Sequence, residues 1–318
     1  MSNEISTAMV AMFNANVMHL SQQKESRLLP YVRRETQRGE SEFFDLIGKV
    51  EMEEVVGRHQ EVVYTDTPHS RRRVTTSKFK WSDLVDKSDK LKTIMNPESE
   101  YAKAAAGASG RRIDSEIIDA ALGSAWTGKA GATEVVLPDT QKIVAFDGTK
   151  TTGCGLNVQT LRAVRKMAKQ AEAIAKGEQM IFAMAAQQAD DLLSSTEVTN
   201  SDYSAVKALV NGEVDTFMGF KFIETELLPF TSAIVYYNSD TGAILPSATD
   251  GTLALGAGRR CFAFTANRGV ILSFLDNPVT KMDIMPKYFH STQILHTMEL
   301  GGVRMEEEQV IEVMCLES

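Results

Sequence analysis

Residues 211–229 read NGEVDTFMGFKFIETELLP, a stretch whose backbone is tightly specified. Asn211-Gly212 is a strong turn dipeptide, and Gly219 supplies a position without Cβ where a chain can bend or approach closely. Residues 220–228 are rich in strand formers and end at Pro229, which has no N–H to give a ladder. Turn, pivot and strand in that order predict one member of a sheet. No cluster of titratable groups accompanies it, so the segment is specified for fit rather than for reaction.

At 318 residues the chain lies near the upper size for one hydrophobic core, which predicts two lobes or one domain with long excursions. Hydrophobic residues at 43% and charged residues at 24% are ordinary for a soluble globular chain and exclude collagen-like, coiled-coil and wholly disordered classes. A net charge of -8 argues against a protein whose task is to neutralise phosphates, which needs clustered Lys and Arg. Cys154, Cys261 and Cys315 are far apart and lack CxxC spacing, so neither a disulfide framework nor a zinc site is indicated and a reducing compartment fits. The first residues lack the basic start and apolar core of a signal peptide, and no apolar run approaches the roughly 20 residues that span a bilayer. No membrane role is expected.

Ile5, Met9, Met12, Phe13, Val17 and Leu20 recur at helical spacing and predict an amphipathic arm, packed on its own domain or on a neighbouring subunit. From 46 to 81, Val50, Met52, Val55, Val56, Val62, Val63, Tyr64, Val74, Phe79 and Trp81 alternate with charges, which predicts a long two-stranded excursion. An isolated hairpin is marginal in water, so the parent domain or another chain must hold it. Its charges are segregated, with Glu51, Glu53, Glu54 and Glu61 on one limb and Arg71, Arg72, Arg73, Lys78 and Lys80 on the other. Either they pair across the hairpin, or the Arg71 to Arg73 cluster recognises an acidic neighbour.

Asn96-Pro97 has the cap and first-turn signature of a long helix that stops at Gly123, with Gly107 and Gly110 marking close packing or a bend. Arg111, Arg112 and Asp114 are assigned to its solvated or interface face. Residues 123–130, GSAWTGKA, nearly fit the phosphate loop GxxxxGK[ST], but Ala130 lacks the hydroxyl for magnesium and a helix precedes the match instead of a strand. Short strands are predicted at 134–137 and 142–146. Asn157 caps a second helix with its end at Gly177 and a basic face of Arg162, Arg165, Lys166, Lys169 and Lys176. A strand at 180–186, helices at 187–195 and 203–210 and the opening segment then alternate as in an α/β lobe. Strands follow at 233–237 and 261–265 around a long loop at 239–258. The closing strands are 270–274, 291–300 and 309–315, with Gly301-Gly302 as a turn or bulge.

Chemistry is sparse. His19, His59, His69, His290 and His296 have no HxxxH or HExxH spacing, no GxSxG occurs, and Cys315 and His296 could meet as nucleophile and base, but a cysteine among Val313, Met314 and Leu316 is far more often a small buried apolar residue. No catalytic, cofactor-binding or metal-ligating residues are assigned.

The order of parts resembles the major capsid proteins of tailed bacteriophages, on an amphipathic arm, a charged β-excursion, a long helix carrying Arg111-Arg112-Ile113-Asp114, and the segment from Gly219 to Pro229. The closing Gly301-Gly302-Val303-Arg304-Met305 and Val310-Ile311-Glu312-Val313 complete it. The resemblance implies an α+β Hong Kong 97-type capsid fold: an N-arm at 1–45, an extended loop at 46–88 and a peripheral domain with a long spine helix at 89–149. An α/β axial domain at 150–270 and closing strands of the peripheral domain at 271–318 follow. It implies self-assembly into hexamers and pentamers of an icosahedral head shell around the genome, with the extended loop lying over an adjacent subunit. Arg71, Arg72, Arg73, Glu51, Glu53 and Glu54 are the expected inter-subunit contacts. A separate scaffolding protein, a portal and a decoration protein are the expected partners, with packaged DNA near by non-specific proximity. Assembly in the host cytoplasm and a place in the virion follow. An encapsulin-like nanocompartment shell shares the implied fold, and a nucleotide-binding enzyme built on Gly123 to Ala130 is the rival of another class.

Overall fold

The computed structural model describes residues 23–52, 54, 64–85, 97–146, 154–175, 178–194, 216–231, 235–238, 241–245, 252–255 and 258–317. Strand β1 (Arg33–Thr36) precedes a hairpin of β2 (Ser41–Ile47) and β3 (His69–Thr75), and β4 (Ser77–Val85) follows. Helix α1 (Pro97–Leu122) leads to β5 (Ala125–Thr127), β6 (Thr133–Val135) and β7 (Lys142–Val144). Then come α2 (Val158–Gln170), β8 (Met180–Met184), α3 (Ala186–Ser194), β9 (Thr216–Phe217) and β10 (Phe220–Glu224). Four short strands follow, β11 (Phe230–Thr231), β12 (Val235–Asn238), β13 (Ile244–Leu245) and β14 (Thr252–Leu255). The chain closes with β15 (Gly258–Thr265), β16 (Val270–Met285), β17 (Ser291–Arg304) and β18 (Val310–Leu316). The predicted arm at 5–20, Asn96, the turn at Asn211-Gly212 and the helix at 203–210 lie outside the described residues.

The largest sheet runs β7-β18-β15-β8-β10-β9, with β11 added on β15. Its middle strand β8, MIFAM, is buried at every position because strands flank it and layers cover both faces, which is why its sequence reads as an unbroken apolar run. Phe182, Phe220 and Phe222 meet edge-on or tilted, with ring centroids 5.6 to 6.4 Å apart. Asn157 caps α2 by accepting the Thr160 N–H at 2.8 Å, and Leu161, Val164 and Ala168 face the same core. Ile113, Ile117, Ile118, Ala121 and Leu122 of α1 also enter it, so one continuous core joins the long helix to the large sheet. Strand β18 was expected with the closing strands, but it lies inside this sheet, antiparallel to β15 and parallel to β7.

A second sheet, β1-β16-β17-β4, is built on the long β16–β17 ribbon. A third, β2-β3-β5-β6, carries the hairpin, and β12 pairs with β13 and β14 in a small fourth. Strands β13 and β14 of that sheet fall within the loop expected at 239–258, because strands two to four residues long give no periodicity to read. Gly301-Gly302 is neither turn nor bulge: β17 runs straight through it. Helix α2 stops at Gln170 rather than Gly177, where Glu172 turns left-handed (φ 55°) and the Ala173 N–H reaches back to Ala168 O at 2.9 Å. Strand β10 ends at Glu224, and Pro229 does not stop pairing. Its carbonyl accepts from Arg260 at 2.9 Å, and β11 begins at the next residue. At Gly219 the expected pivot is real: φ is +83°, in the tight turn between β9 and β10, and an added Cβ would meet the Arg165 guanidinium.

Helix α1 is roughly 39 Å long at 1.5 Å per residue, and its middle is gripped by the segment leaving the arm. Asp114 is fully buried within its own chain, which corrects its placement on a solvated or interface face. Its carboxylate accepts from the Gln23 amide, from Ser26 Oγ at 2.5 Å, and from the backbone N–H groups of Arg27 at 3.0 Å and Leu28 at 3.1 Å. Gly110, one turn earlier, makes this approach feasible, since a Cβ there would lie 2.9 Å from Ser26 N. The glycines therefore serve close packing.

Two outcomes follow. Asp114→Ala leaves several donors unpaired and should cost about 3 kcal/mol in urea unfolding, with new tryptic cleavage at Lys24 and Arg27; unchanged unfolding and protection would refute the lock. His296, in β17, is buried beside Thr280, and burial holds its pKa below the ordinary histidine value. The unfolded chain therefore takes up the proton first, so the unassembled subunit should lose stability as pH falls below about 6.5, and His296→Gln should flatten that dependence in thermal melts.

Candidate functional site

The hairpin expected to carry inter-subunit contacts starts at Ser41, inside the segment read as arm, and pairs Ser41–Ile47 with His69–Thr75 throughout. It ends at Thr75: β4, read as part of the same limb, crosses to pair with β17 and takes Lys78 and Lys80 into another sheet.

Alternation along β3 splits the arginine triplet. Arg71 lies over the Phe43 ring, 5.4 Å from its centroid, and pairs with Asp45 at 3.0 Å. Arg73 lies over Trp126 at 5.5 Å. Both are partly exposed, and an exposed pair such as Arg71–Asp45 contributes about 0–1 kcal/mol. Arg72 points the other way, buried, with Nε donating to Met305 O at 2.9 Å and Nη2 to both Glu307 oxygens at 2.5 and 2.7 Å. Within its own chain it is therefore committed to Met305 and Glu307. Glu51 and Glu54 are exposed beyond the stem, and Glu53 lies outside the described residues.

The anchor of this stem is Arg304, whose side chain has no exposed surface. It donates from Nη1 to Ala121 O at 2.9 Å and Gly123 O at 2.8 Å, the unpaired carbonyls at the end of α1, and from Nη2 to Val135 O at 3.3 Å. Glu307 stands 3.9 Å away and bridges to Arg72. Burial lowers the Arg304 pKa, and Glu307 opposes that shift. Arg304, Glu307 and Asp114 were not singled out as structural keys in the sequence. The readable signal for Asp114 was Gly107, Gly110 and Asp114 on one helix face, small residues plus an acid where another backbone must approach.

Outward from this root the chain exposes apolar surface. Ile47, Val50, Met52 and Tyr64 are 70%, 58%, 101% and 92% exposed. Along β16 burial stops at Phe274, and Met282 and Ile284, with Tyr288 and Phe289 beyond the strand, are open to solvent. Phe289 and His290 both take left-handed backbone at the ribbon's tip (φ 50° and 58°). A subunit that stayed single would rarely carry so much apolar surface on projections.

Between α1 and the β4–β17 strands lies a groove of about 280 Å³ lined by Phe79, Trp81, Ala105, Ala108, Met298 and His296 together with Lys80, Ser109 and Arg112. Arg112 stacks on Phe79 at 4.2 Å and pairs with Glu116, whose carboxyl burial holds above its usual range. The near match to a phosphate loop folds differently: Gly128 and Lys129 form the turn joining β5 to β6, with Gly131 N–H on Gly128 O at 2.9 Å, and no helix follows to present its N-terminus. Cys315 lies beside Cys261 in the large sheet, where that neighbour and burial push its thiol well up, while His296 belongs to a different sheet. On α2, Arg165 is held by Met218 O, and Arg162, Lys166 and Lys169 line a shallow surface cleft.

A phage capsid protein family model matches residues 5–317. Among solved structures, the capsid of cyanophage P-SCSP1u aligns with a TM-score of 0.67 at 17% identity, covering 96% of this chain and 93% of that one. The acidic stable capsid structure of Helicobacter pylori bacteriophage KHP30 gives 0.68 at 13% identity, covering 98% and 97%. The capsid of Ralstonia phage GP4 gives 0.68 at 9% identity, covering 96% and 94%. No curated protein sequence matches. The α+β fold is thus the one these capsid structures share, and the family model, spanning nearly the whole chain, settles membership: the chain belongs to the phage capsid protein family.

Proposed function

We propose that this chain is the major coat subunit of a phage head and that many copies close into the icosahedral shell enclosing the genome. The observation that carries the reading is a rigidly rooted hairpin beside whose stem the described residues Ile47, Val50, Met52 and Tyr64 are apolar and exposed. The root holds direction, and the exposed apolar residues need a neighbour.

In this reading the lobe around the large sheet forms the centres of hexamers and pentamers, and the arm and extended loop tie adjacent copies. Arg71 and Arg73 with Glu51, Glu53 and Glu54 make contacts between copies. A scaffolding protein directs curvature, a portal occupies one vertex, and a decoration protein can sit on the outside. Packaged DNA lies near an acidic protein that does not grip it, as the net charge of -8 favours. Assembly proceeds in the host cytoplasm and the product is the virion. Many modest contacts become a stable shell through valency. The matching family favours a phage head over a nanocompartment.

Electron microscopy of the concentrated protein, alone or co-expressed with a scaffold, should show rings or closed shells, whereas a strictly monomeric protein at high concentration would overturn the proposal. Replacing residues 49–67 by a short Gly-Ser linker should abolish closed particles yet preserve the circular dichroism spectrum. The cut stops before β3, because Arg72 and Val74 are buried there.

A further inference from the structure

The long helix and the ribbon sheet leave a space that neither fills. Ala105, Ala108 and Arg112 recur at i, i+3 and i+7 on one face of α1, so toward the sheet the helix offers two methyl groups and then a cation. Facing them, Trp81 and Phe79 of β4 pair with His296 and Met298 of β17, two cross-strand rows on one face of the sheet. Side chains as short as alanine opposite aromatic rings leave the groove of about 280 Å³. A water takes roughly 30 Å³ in the liquid, so the space suits an organic molecule of about ten non-hydrogen atoms.

The polar lining defines the head group. His296 is 7% exposed, and its Nε2 has no hydrogen-bond partner among the described residues. Thr280 Oγ1 lies 2.8 Å from the other ring nitrogen, Nδ1, and with that hydroxyl donating, the ring proton stands on Nε2. Arg112 Nε is a second buried donor without a partner, although the same guanidinium serves Glu116 and stacks on Phe79 at 4.2 Å. Unmet buried donors favour an occupant that brings acceptors. A carboxylate brings two oxygens, and a bond to it from a cation is about twice as strong as a neutral one. Glu116 offsets part of the Arg112 charge, and Lys80, also on the lining, adds charge of the same sign as Arg112. The rest of the occupant must be apolar and flat, since Phe79 and Trp81 favour an offset or edge-on ring and the Met298 sulfur favours an aromatic neighbour.

We propose that this groove is a binding site for a small aromatic carboxylate, its ring against Phe79, Trp81 and Met298 and its head accepting from His296 and Arg112. The site lies within one chain, so it goes beyond the shell reading and stands or falls independently of it.

The chain has two tryptophans, and Trp126→Phe leaves Trp81 as the sole reporter, inside the groove. Phenylacetate added to this purified full chain before assembly should change Trp81 emission saturably, with a dissociation constant of about 1 mM or tighter, within reach of a molecule of about ten non-hydrogen atoms. Phenethylamine carries a similar body with a cationic head and should bind at least about tenfold more weakly. His296→Leu should weaken phenylacetate binding about tenfold and leave the affinity for phenethylamine unchanged, which separates loss of the donor from loss of the pocket. Ala108→Leu, at a partly exposed helix position, fills the groove and should abolish the signal while the circular dichroism spectrum is kept. No saturable change, equal binding of acid and amine, or an Ala108→Leu chain that binds like the parent would overturn the site and leave the shell reading untouched.

Discussion

Everything that projects from this molecule depends on how Arg304 is buried. A guanidinium with no exposed surface is tolerable only where most of its donors are met, and here Nη1 and Nη2 meet the last carbonyls of α1, the Val135 carbonyl of the hairpin sheet and the charge of Glu307, while Nε has no partner among the described residues. Glu307 also takes both ends of a fork from Arg72. One carboxylate and two arginines therefore fasten three things that sequence separates widely: the end of the long helix, the root of the hairpin and the turn after β17. Replacing such a group by apolar residues need not weaken a fold, but removing a single member leaves an uncompensated charge, costing about 3–5 kcal/mol. Its particular contribution is directional, because planar forked bonds fix angles as well as distances.

Asp114 applies the same logic at the middle of the helix. There the carboxylate is the hub and the incoming segment supplies the donors, two of them backbone N–H groups. Arg111 reinforces the arrangement by donating to Gln23 O at 2.9 Å. Residues 23–28 are therefore fixed on the middle of α1. A fixed origin limits where a following segment can reach, so a bond within one subunit restricts which neighbouring surface that subunit can touch.

How much of this was legible depended on whether the controlling interaction was local. Helix α2 was readable because its Asn157 cap and apolar spacing lie within a few residues, α1 from its Pro97 start and apolar spacing, and β8 because five consecutive buried positions leave an apolar run. The hairpin stem was readable as strand but not in extent, since Phe43 and Phe44 precede the charged stretch that drew the boundary at 46. The arginine triplet looked like one cluster because a sequence lists neighbours without their faces; the pleat sends Arg72 inward and its neighbours outward. Arg304 and Glu307 were invisible for a different reason. Apart from each other, their partners lie more than 160 positions away, and nothing in Val303-Arg304-Met305 reveals that the side chain ends on helix carbonyls. The short strands of the small sheet and the true site of β18 likewise depend on pairing at long range.

The distribution of stiffness has a further consequence for assembly. Strong, buried, charge-assisted contacts are concentrated at roots and hubs, whereas the surfaces that project carry exposed apolar side chains and weakly valued ion pairs such as Arg71–Asp45. A shell built the other way, from strong contacts between flexible parts, would trap wrongly joined copies, because a mistaken contact could not open before the next copy arrived. With weak contacts on well-aimed supports, one misplaced neighbour is held by little and leaves quickly, while a correctly placed one is held by several contacts at once. The buried arginines and Asp114 thus serve closure indirectly: they keep the geometry constant enough that only the correct arrangement satisfies every weak contact together.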